Sequence, residues 1–466
     1  MRFKRISNKF EKFLYKKISL WILILTFILG FVFIILFGSV VRHAAVGGIK
    51  TGFIGDWALA ISRLPSHLKK IISGPSADLV VKEIRFKKLK GLIINDSFFR
   101  FLIPPFNTIK GKSDLDGYLL LARYDGDLKR SVVELIDIDK NTILHRWKPD
   151  IKKINSLSKF ATGGSRTYVF IEREHSPERY RIIHPLLDEK ELIFSSHGSP
   201  LVKVDECSNV KWTSDFIFHH SIEKSYDDTY WVSEWIRPPS VKLEKYYRDE
   251  SVTQISNDGK ILFKRSLMRI FLDNDMFNKM DGYNLNSITK DPFHINDIQP
   301  VLFDGPYWKK GDLFLSIRGY SMIMLYRPKT NKVIFYKIGP WEYQHDVDIL
   351  NNHQISIFNN KFSGANNIII YDFKENKTNV MYKNAFKQLD VRTREEGLHQ
   401  LLKNGDIFVE ETHHGRVLRF DKKGNLKWQF INRAENGKLY HLSWSRFLDE
   451  KVYSKVIQNI TKAKCQ

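Results

Sequence analysis

The chain has 466 residues, with 74 Lys+Arg against 52 Asp+Glu, a formal net charge of +22, and 43% hydrophobic and 13% aromatic residues. That balance excludes a disordered or fibrous chain, and the length fits either two or three ordinary domains or one large repetitive one. Only two cysteines occur, Cys207 and Cys465, which excludes a Cys-rich zinc module or a disulfide framework.

Residues 1–17 carry seven basic residues against one acid, Glu11, and from Ser19 to Val41 there are 23 residues without a charge. About 20 apolar residues at 1.5 Å each cross a bilayer core, and a cleavable signal has a shorter apolar region of roughly 7–15 residues. The reading is therefore a cytoplasmic basic segment over 1–18 and an uncleaved transmembrane anchor over 19–41. By the positive-inside rule everything after Arg42 is exported. The protein is expected in the inner (cytoplasmic) membrane, single-pass, its N-terminus cytoplasmic and its C-terminal domain periplasmic. Residues 42–110 read as a membrane-proximal stalk with the first strands. Within them 54–72 is amphipathic and fits equally a helix on the membrane surface or a packed one. Removing the N-terminal +6 leaves about +16 on the exported part, which a Lys/Asn/Ile-rich composition explains. No recognition helix or zinc finger points to nucleic acid.

After residue 110 one pattern recurs: a short apolar strand, a polar turn and a second apolar strand. It occupies 135–147, 201–212, 254–263, 324–336, 369–382 and 417–428. Asn, Asp and Gly between β-branched or aromatic strands spell a β-hairpin. Repeats of such units point to propeller blades, and the long helical crossovers of a parallel α/β fold are scarce. The predicted fold is all-β, a six-bladed β-propeller over 111–448 behind a single N-terminal transmembrane helix, with 449–466 as a C-terminal tail. A pair of β-sandwiches is the alternative.

A histidine precedes or opens several strands between these hairpins: His184, His220, His345 and His399, with Asn296 in the aligned place of a further copy and His294 two residues before it. Equivalent positions of propeller blades converge on the axis, so these residues are expected around one funnel.

The His219-His220 pair, His294-x-Asn296, Arg318 in Leu315-Ser-Ile-Arg-Gly, Gln344-His-Asp-Val and Ile355-Ser-Ile-Phe-Asn-Asn360 together resemble the bacterial arylsulfotransferase family over roughly 115–447. The resemblance implies a six-bladed propeller that moves a sulfuryl group from a phenolic sulfate ester to a phenolic acceptor, without a nucleotide donor or other cofactor, through a sulfohistidine. By motif order His345 matches the nucleophile, and His220, His294, Asn296 and Arg318 match the sulfate-binding and proton-handling residues. His219 and His399 are taken with Asn296 as substrate-binding. The chain lacks a cysteine pair of the kind some members use near the site, and it carries an insertion, Leu302–Gly311. The chemistry agrees: an imidazole nucleophile splits one displacement into two, and a guanidinium fork stabilises charge on sulfuryl oxygens.

Each residue also has an ordinary structural reading. A histidine in a turn before a strand is commonly structural, Arg318 fits an inter-blade ion pair, and His413-His414 fits a solvated turn. Two other classes stay open, a non-catalytic propeller scaffold and a propeller with a His-ligated metal, although no tight metal-ligand spacing occurs and no metal residues are assigned. Oligomeric state is not legible.

Overall fold

The computed structural model describes residues 19–46, parts of 53–64, and residues 107–108, 117–158, 177–178, 180–243, 247–280 and 291–465. The basic segment 1–18 and most of the expected stalk over 42–110 lie outside the described residues. The chain forms two units, Met1–Ile72 and Ser73–Gln466. In the first, Leu20–Val46 is one α-helix whose Leu20–Val41 portion is long and apolar enough to cross a membrane. Its large side chains, Trp21, Phe27 and Phe33 among them, are exposed, and a helix satisfies its own backbone groups as a bilayer requires.

The second unit is all-β. Each of the six expected hairpins is an antiparallel pair: Arg130–Asp137 with Thr142–Trp147, Ser199–Val204 with Val210–Lys224, Asp249–Ile255 with Ile261–Ser266, Met322–Arg327 with Lys332–Ile338, Asn367–Asp372 with Lys377–Met381, and Arg416–Phe420 with Leu426–Ile431. Asn141, Asn331 and Asn376 sit in these turns with φ of 53°, 53° and 51°, the left-handed conformation that asparagine tolerates better than most side chains. Among the described residues the strands form five sheets in a propeller-like arrangement. Four have the four or five strands of one blade, and the fifth, from Ile183–Asp188 to Ile261–Ser266, has seven. Arg446–Leu448 pairs with Tyr118–Asp125 and so adds the fourth strand to the sheet of Tyr118–Asp125, Arg130–Asp137 and Thr142–Trp147.

Buried apolar side chains fill the gaps between successive sheets. Trp231, Val252 and Phe271 meet Ile295, Leu315 and Met324, while Phe314, Ile323 and Trp341 meet Val347, Ile357 and Tyr371. The insertion Leu302–Gly311 is anchored here, because Trp308 is buried against Phe314. Full burial of one such side chain contributes roughly 1.5–3 kcal/mol. Polar side chains stitch the innermost strands in chain order. His184 Nδ1 accepts from Ile222 N at 3.2 Å, Ser221 Oγ from Ile298 N at 3.0 Å, Asp297 Oδ2 from Val347 N at 3.0 Å and Asp346 Oδ2 from His399 N at 2.8 Å. Glu410 accepts from Trp444 N at 2.8 Å and Ser445 N at 2.6 Å, and His184 N donates to Ser443 O at 3.0 Å, which returns the chain of bonds to its start.

Two features go beyond the sequence reading. The tail over 449–466 carries an α-helix, Glu450–Thr461, capped by Asp449 and packed through Ile457 and Ile460 beside Ile151 and Ile154. Cys207 and Cys465 form a disulfide across 258 residues of sequence, a pairing that no local pattern announces. A cross-link over so long a loop contributes about 2–5 kcal/mol. Cys465→Ser is therefore expected to lower the urea midpoint of the oxidised protein, and reductant should lower the wild-type midpoint to match. An unchanged midpoint in both would show that the bond contributes nothing to stability.

Candidate active site

Three inner strands share one local device. His184, His220 and His294 have φ of 49°, 56° and 54°, and each lies at or next to a register shift in its strand pairing. A left-handed conformation costs a residue with a Cβ about 1–2 kcal/mol, and held strain of this kind gathers where side chains are aimed for function. Arg318 is positioned by a close approach. It opens the 3₁₀ turn Arg318–Tyr320, and Gly319 N donates to Phe293 O at 2.7 Å while Arg318 N donates to His294 O at 3.1 Å. A Cβ on Gly319 would stand 2.0 Å from Pro292 O, so only glycine lets this turn dock on the one that carries His294.

These elements bring His220, His294, Arg318 and His345 together. The His220 ring centroid lies 5.1 Å from that of His294 and 6.4 Å from that of His345. Arg318 Nη1 donates to His294 Nε2 at 3.3 Å, and His294 Nδ1 donates to Asp291 Oδ2 at 2.7 Å. Asp291 also receives Arg248 Nη1 at 3.0 Å. The guanidinium of Arg318 lies 5.1 Å from the centroid of the Tyr343 ring.

His345 is held in one tautomer. Its Nδ1 donates to Asn360 Oδ1 at 2.8 Å and Tyr343 O at 2.9 Å, which leaves the Nε2 lone pair to accept from Glu396 N at 2.9 Å. Asn360 is oriented in turn by donating from Nδ2 to Glu396 O at 2.7 Å and Thr393 O at 3.1 Å. Burial pushes the His345 imidazole down to about 3, only partly countered by the bond to Asn360. The ring is therefore neutral throughout the ordinary pH range, its Nε2 electron pair engaged by the Glu396 amide. Burial likewise lowers His220 and His219 well below the usual imidazole range and takes His197 down to about 4. Glu396, although buried, is held well below the carboxylate range by Arg181, which grips it through both oxygens at 3.0 and 2.6 Å.

The remaining expected residues take different places. His219 is fully buried, with its Nδ1 2.7 Å from His220 Nδ1 and its Nε2 3.5 Å from Glu250 Oε1. Asn296 Nδ2 donates at 2.7 Å to Gln344 O, the carbonyl just before His345. His399 is joined to Asp346 Oδ2 and Ser356 Oγ, both at 2.7 Å. His184 accepts from Arg446 Nη2 at 2.8 Å and stacks edge-on against Trp444. His413 and His414 form the expected turn after a strand, but it is half-buried rather than solvated, and His413 donates to Glu395 O at 2.8 Å. Buried polar atoms of this region, Asn296 Oδ1, Arg318 Nε and His219 Nε2, have no hydrogen-bond partner. Native proteins seldom leave such atoms unmatched without a ligand or water to meet them.

Sequence reasoning missed His197, whose ring centroid is 4.8 Å from that of His220, and the carboxylates Asp291, Glu250 and Glu396. Asp291 was within reach, three residues before His294. The others come from distant strands and loops and leave no spacing signal. As a unit, the site presents a neutral imidazole lone pair beside a guanidinium and two more imidazoles, a set suited to an anionic group attacked by nitrogen.

The arylsulfotransferase (ASST) family model matches residues 184–433. No curated protein matches the chain. Similar solved structures include a protein of unknown function from Bacteroides caccae (10% identity, TM-score 0.45, 72% of this chain and 99% of that one). They also include the WD40 β-propeller domain of Doa1 (12%, 0.36, 72% and 92%) and virginiamycin B lyase from Staphylococcus aureus (10%, 0.32, 53% and 69%).

Proposed function

The chain belongs to the arylsulfotransferase (ASST) family, and from that premise we propose that it moves a sulfuryl group from a phenolic sulfate ester to a phenolic acceptor through a sulfohistidine at His345. The observation that carries this reading is the fixed tautomer of His345, with Nδ1–H anchored on Asn360 and Nε2 carrying the lone pair. In the first half-reaction Nε2 gives up its bond to Glu396 N and attacks sulfur. The N–S bond forms, the S–O bond breaks, and the phenolate leaves with the bonding pair. Arg318 donates to the sulfuryl oxygens, where preorganised donors act most strongly in a water-poor site, and His294 Nε2 holds the guanidinium in place. In the second half an acceptor phenol passes its proton to neutral His220 and attacks sulfur. That proton returns to the next departing phenolate, and His345 is restored.

Six blades accommodate the site. The seven-stranded sheet counts as two, joined through the 15-residue strand Val210–Lys224, and the cluster of Leu186, Phe218, Ile222 and Val232 fills the space between its halves. The propeller spans 111–448 in this reading. The helix Leu20–Val46 anchors it in the cytoplasmic membrane with the N-terminus inside, and the Cys207–Cys465 disulfide fits an oxidising compartment beyond that membrane. A reporter that works only when exported, fused after Gln466, should be active, and a cytoplasmic-reporter signal would reverse the orientation.

The deciding experiment incubates the purified chain with a chromogenic aryl sulfate, with and without added phenol. Phenol-stimulated release of the chromophore and an acid-labile sulfated histidine at position 345 are expected. A panel of aryl sulfates that yields neither leaves a binding propeller without catalysis. Arg318→Ala should retain a slow reaction, about 10²–10³-fold down in kcat, and a rate equal to wild type would remove Arg318 from the sulfuryl site.

A further inference from the structure

His220, the acid–base group of the transfer reaction, leads to a buried carboxyl through a second imidazole. His219 Nδ1 lies 2.7 Å from His220 Nδ1, a separation at which one nitrogen must donate and the other accept. On its far side His219 Nε2 faces Glu250 Oε1 at 3.5 Å. Glu250 Oε2 accepts from Ile295 N at 3.0 Å, which holds the carboxyl with Oε1 toward the histidine. His219, His220 and Glu250 are 0%, 5% and 1% exposed, so the line runs inside the protein.

His220 is a poor resting place for a proton, because burial and the neighbouring His197, His219 and His294 lower it well below the usual imidazole range. Glu250 is a better one. Burial pushes it up to about 8, with Asp291 adding to the rise and the Ile295 amide, Arg248 and Trp235 opposing it.

We propose that Glu250 and His219 are positioning residues that pass protons to and from His220, a role that rests on the transfer reading above. In the resting enzyme the Glu250 carboxyl donates to His219 Nε2, His219 Nδ1–H donates to His220 Nδ1, and His220 Nε2 holds the proton that the leaving group needs. As the S–O bond breaks, that proton goes to the phenolate oxygen, the His219 Nδ1 proton to His220 Nδ1, and the Glu250 proton to His219 Nε2. Both rings stay neutral, and the relay ends as a carboxylate. The acceptor phenol reverses each transfer while its oxygen takes the sulfur and His345 Nε2 recovers the bonding pair. The 3.5 Å step is long for a hydrogen bond, and catalytic contacts commonly tighten only once substrate is bound.

The test compares the full chain in detergent with Glu250→Gln on two donors, phenyl sulfate and 4-nitrophenyl sulfate. The amide keeps the shape of the carboxyl but neither gives nor takes a proton. Phenolate needs a proton to depart, whereas 4-nitrophenolate leaves unaided. At pH 7 the variant should lose kcat/KM about 10²-fold or more on phenyl sulfate, and at least about tenfold less on 4-nitrophenyl sulfate. Equal losses on both donors, as a merely displaced His220 would give, overturn the relay. In the wild type kcat/KM for phenyl sulfate should fall above about 8 more steeply than that for 4-nitrophenyl sulfate, because Glu250 is then ionised at the start. Parallel profiles overturn the relay even where the variant misfolds. A wild type inactive on both donors counts against the transfer reading, and infrared spectra then decide the relay. A protonated carboxyl band that fades as pH rises through about 8 and is missing from Glu250→Gln is expected, and its absence overturns the proposal.

Discussion

His345→Ala is expected to abolish sulfuryl transfer, with no sulfated enzyme trapped after incubation with an aryl sulfate. His294 cannot take over, with its Nδ1 committed to Asp291 and its Nε2 to Arg318, and His220, whose Nδ1 lies against His219, lacks the Asn360 anchor that fixes the His345 tautomer. The substitution also frees Asn360 Oδ1 and Glu396 N, which are buried polar groups that cost about 1–3 kcal/mol each when left unpaired. A lower melting temperature should accompany the loss of activity. His345→Gln separates the two effects, because an amide can still bond Asn360 or Glu396 N but offers no nucleophile. It should melt closer to wild type and remain inactive. If either variant keeps most of the transfer, the nucleophile lies elsewhere, and His220 becomes the candidate. Since burial holds His345 at about 3, the acid limb of kcat/KM in the wild type should arise from other groups, and an inflection near 6 that vanished only in His345 variants would contradict the neutral-imidazole reading.

The largest effect on stability is expected from Arg416→Met. Arg416 and Glu411 are each 1% exposed and ion-paired, Arg416 Nη2 donates to Leu389 O at 3.0 Å, and Glu411 Oε1 receives Arg392 N. The pair thus clamps the base of the loop whose Glu396 amide caps His345. Removing one partner of a buried pair leaves an uncompensated charge and costs about 3–5 kcal/mol. Glu411 is drawn down to about 2, burial opposing and Arg416 outweighing it. In the wild type its contribution is therefore present above the unfolded carboxylate value of about 4.3 and is lost as pH falls toward 2. In the variant burial is opposed only by His414 and the Arg392 amide, so the group rises from its wild-type value, and the loss is greatest at neutral pH and shrinks as Glu411 takes up a proton. Urea unfolding at pH 7 and pH 5 checks both magnitude and direction. A difference from wild type below 1 kcal/mol at pH 7, or one that grows at pH 5, would sink the argument.

What could be read in advance follows the range of the interactions. The six hairpins were legible because each depends on a turn and its flanking strands, as with Asn331 between Met322–Arg327 and Lys332–Ile338. Histidines 220, 294 and 345 were legible as a group because a repeated position in a repeated unit is a local pattern with a spatial meaning. Glu396 and Asn360 were not, since they act on His345 through a loop amide and an amide side chain whose partners only the tertiary fold selects. The Cys207–Cys465 bond and the docking of the C-terminal helix beside Ile151 and Ile154 escaped for the same reason, because each joins segments far apart in sequence.

The pairing of Arg446–Leu448 with Tyr118–Asp125 bears on biogenesis. Synthesis is vectorial, so the sheet that holds Tyr118–Asp125 remains one strand short until residue 446 has left the ribosome. Until then the Tyr118 strand presents an unpaired edge of the kind that invites association with other chains. Circular closure is in this sense a post-translational event. A nascent chain stalled before residue 446 should remain sensitive to protease and bound by holding chaperones, whereas one released past it should mature as a single cooperative ring.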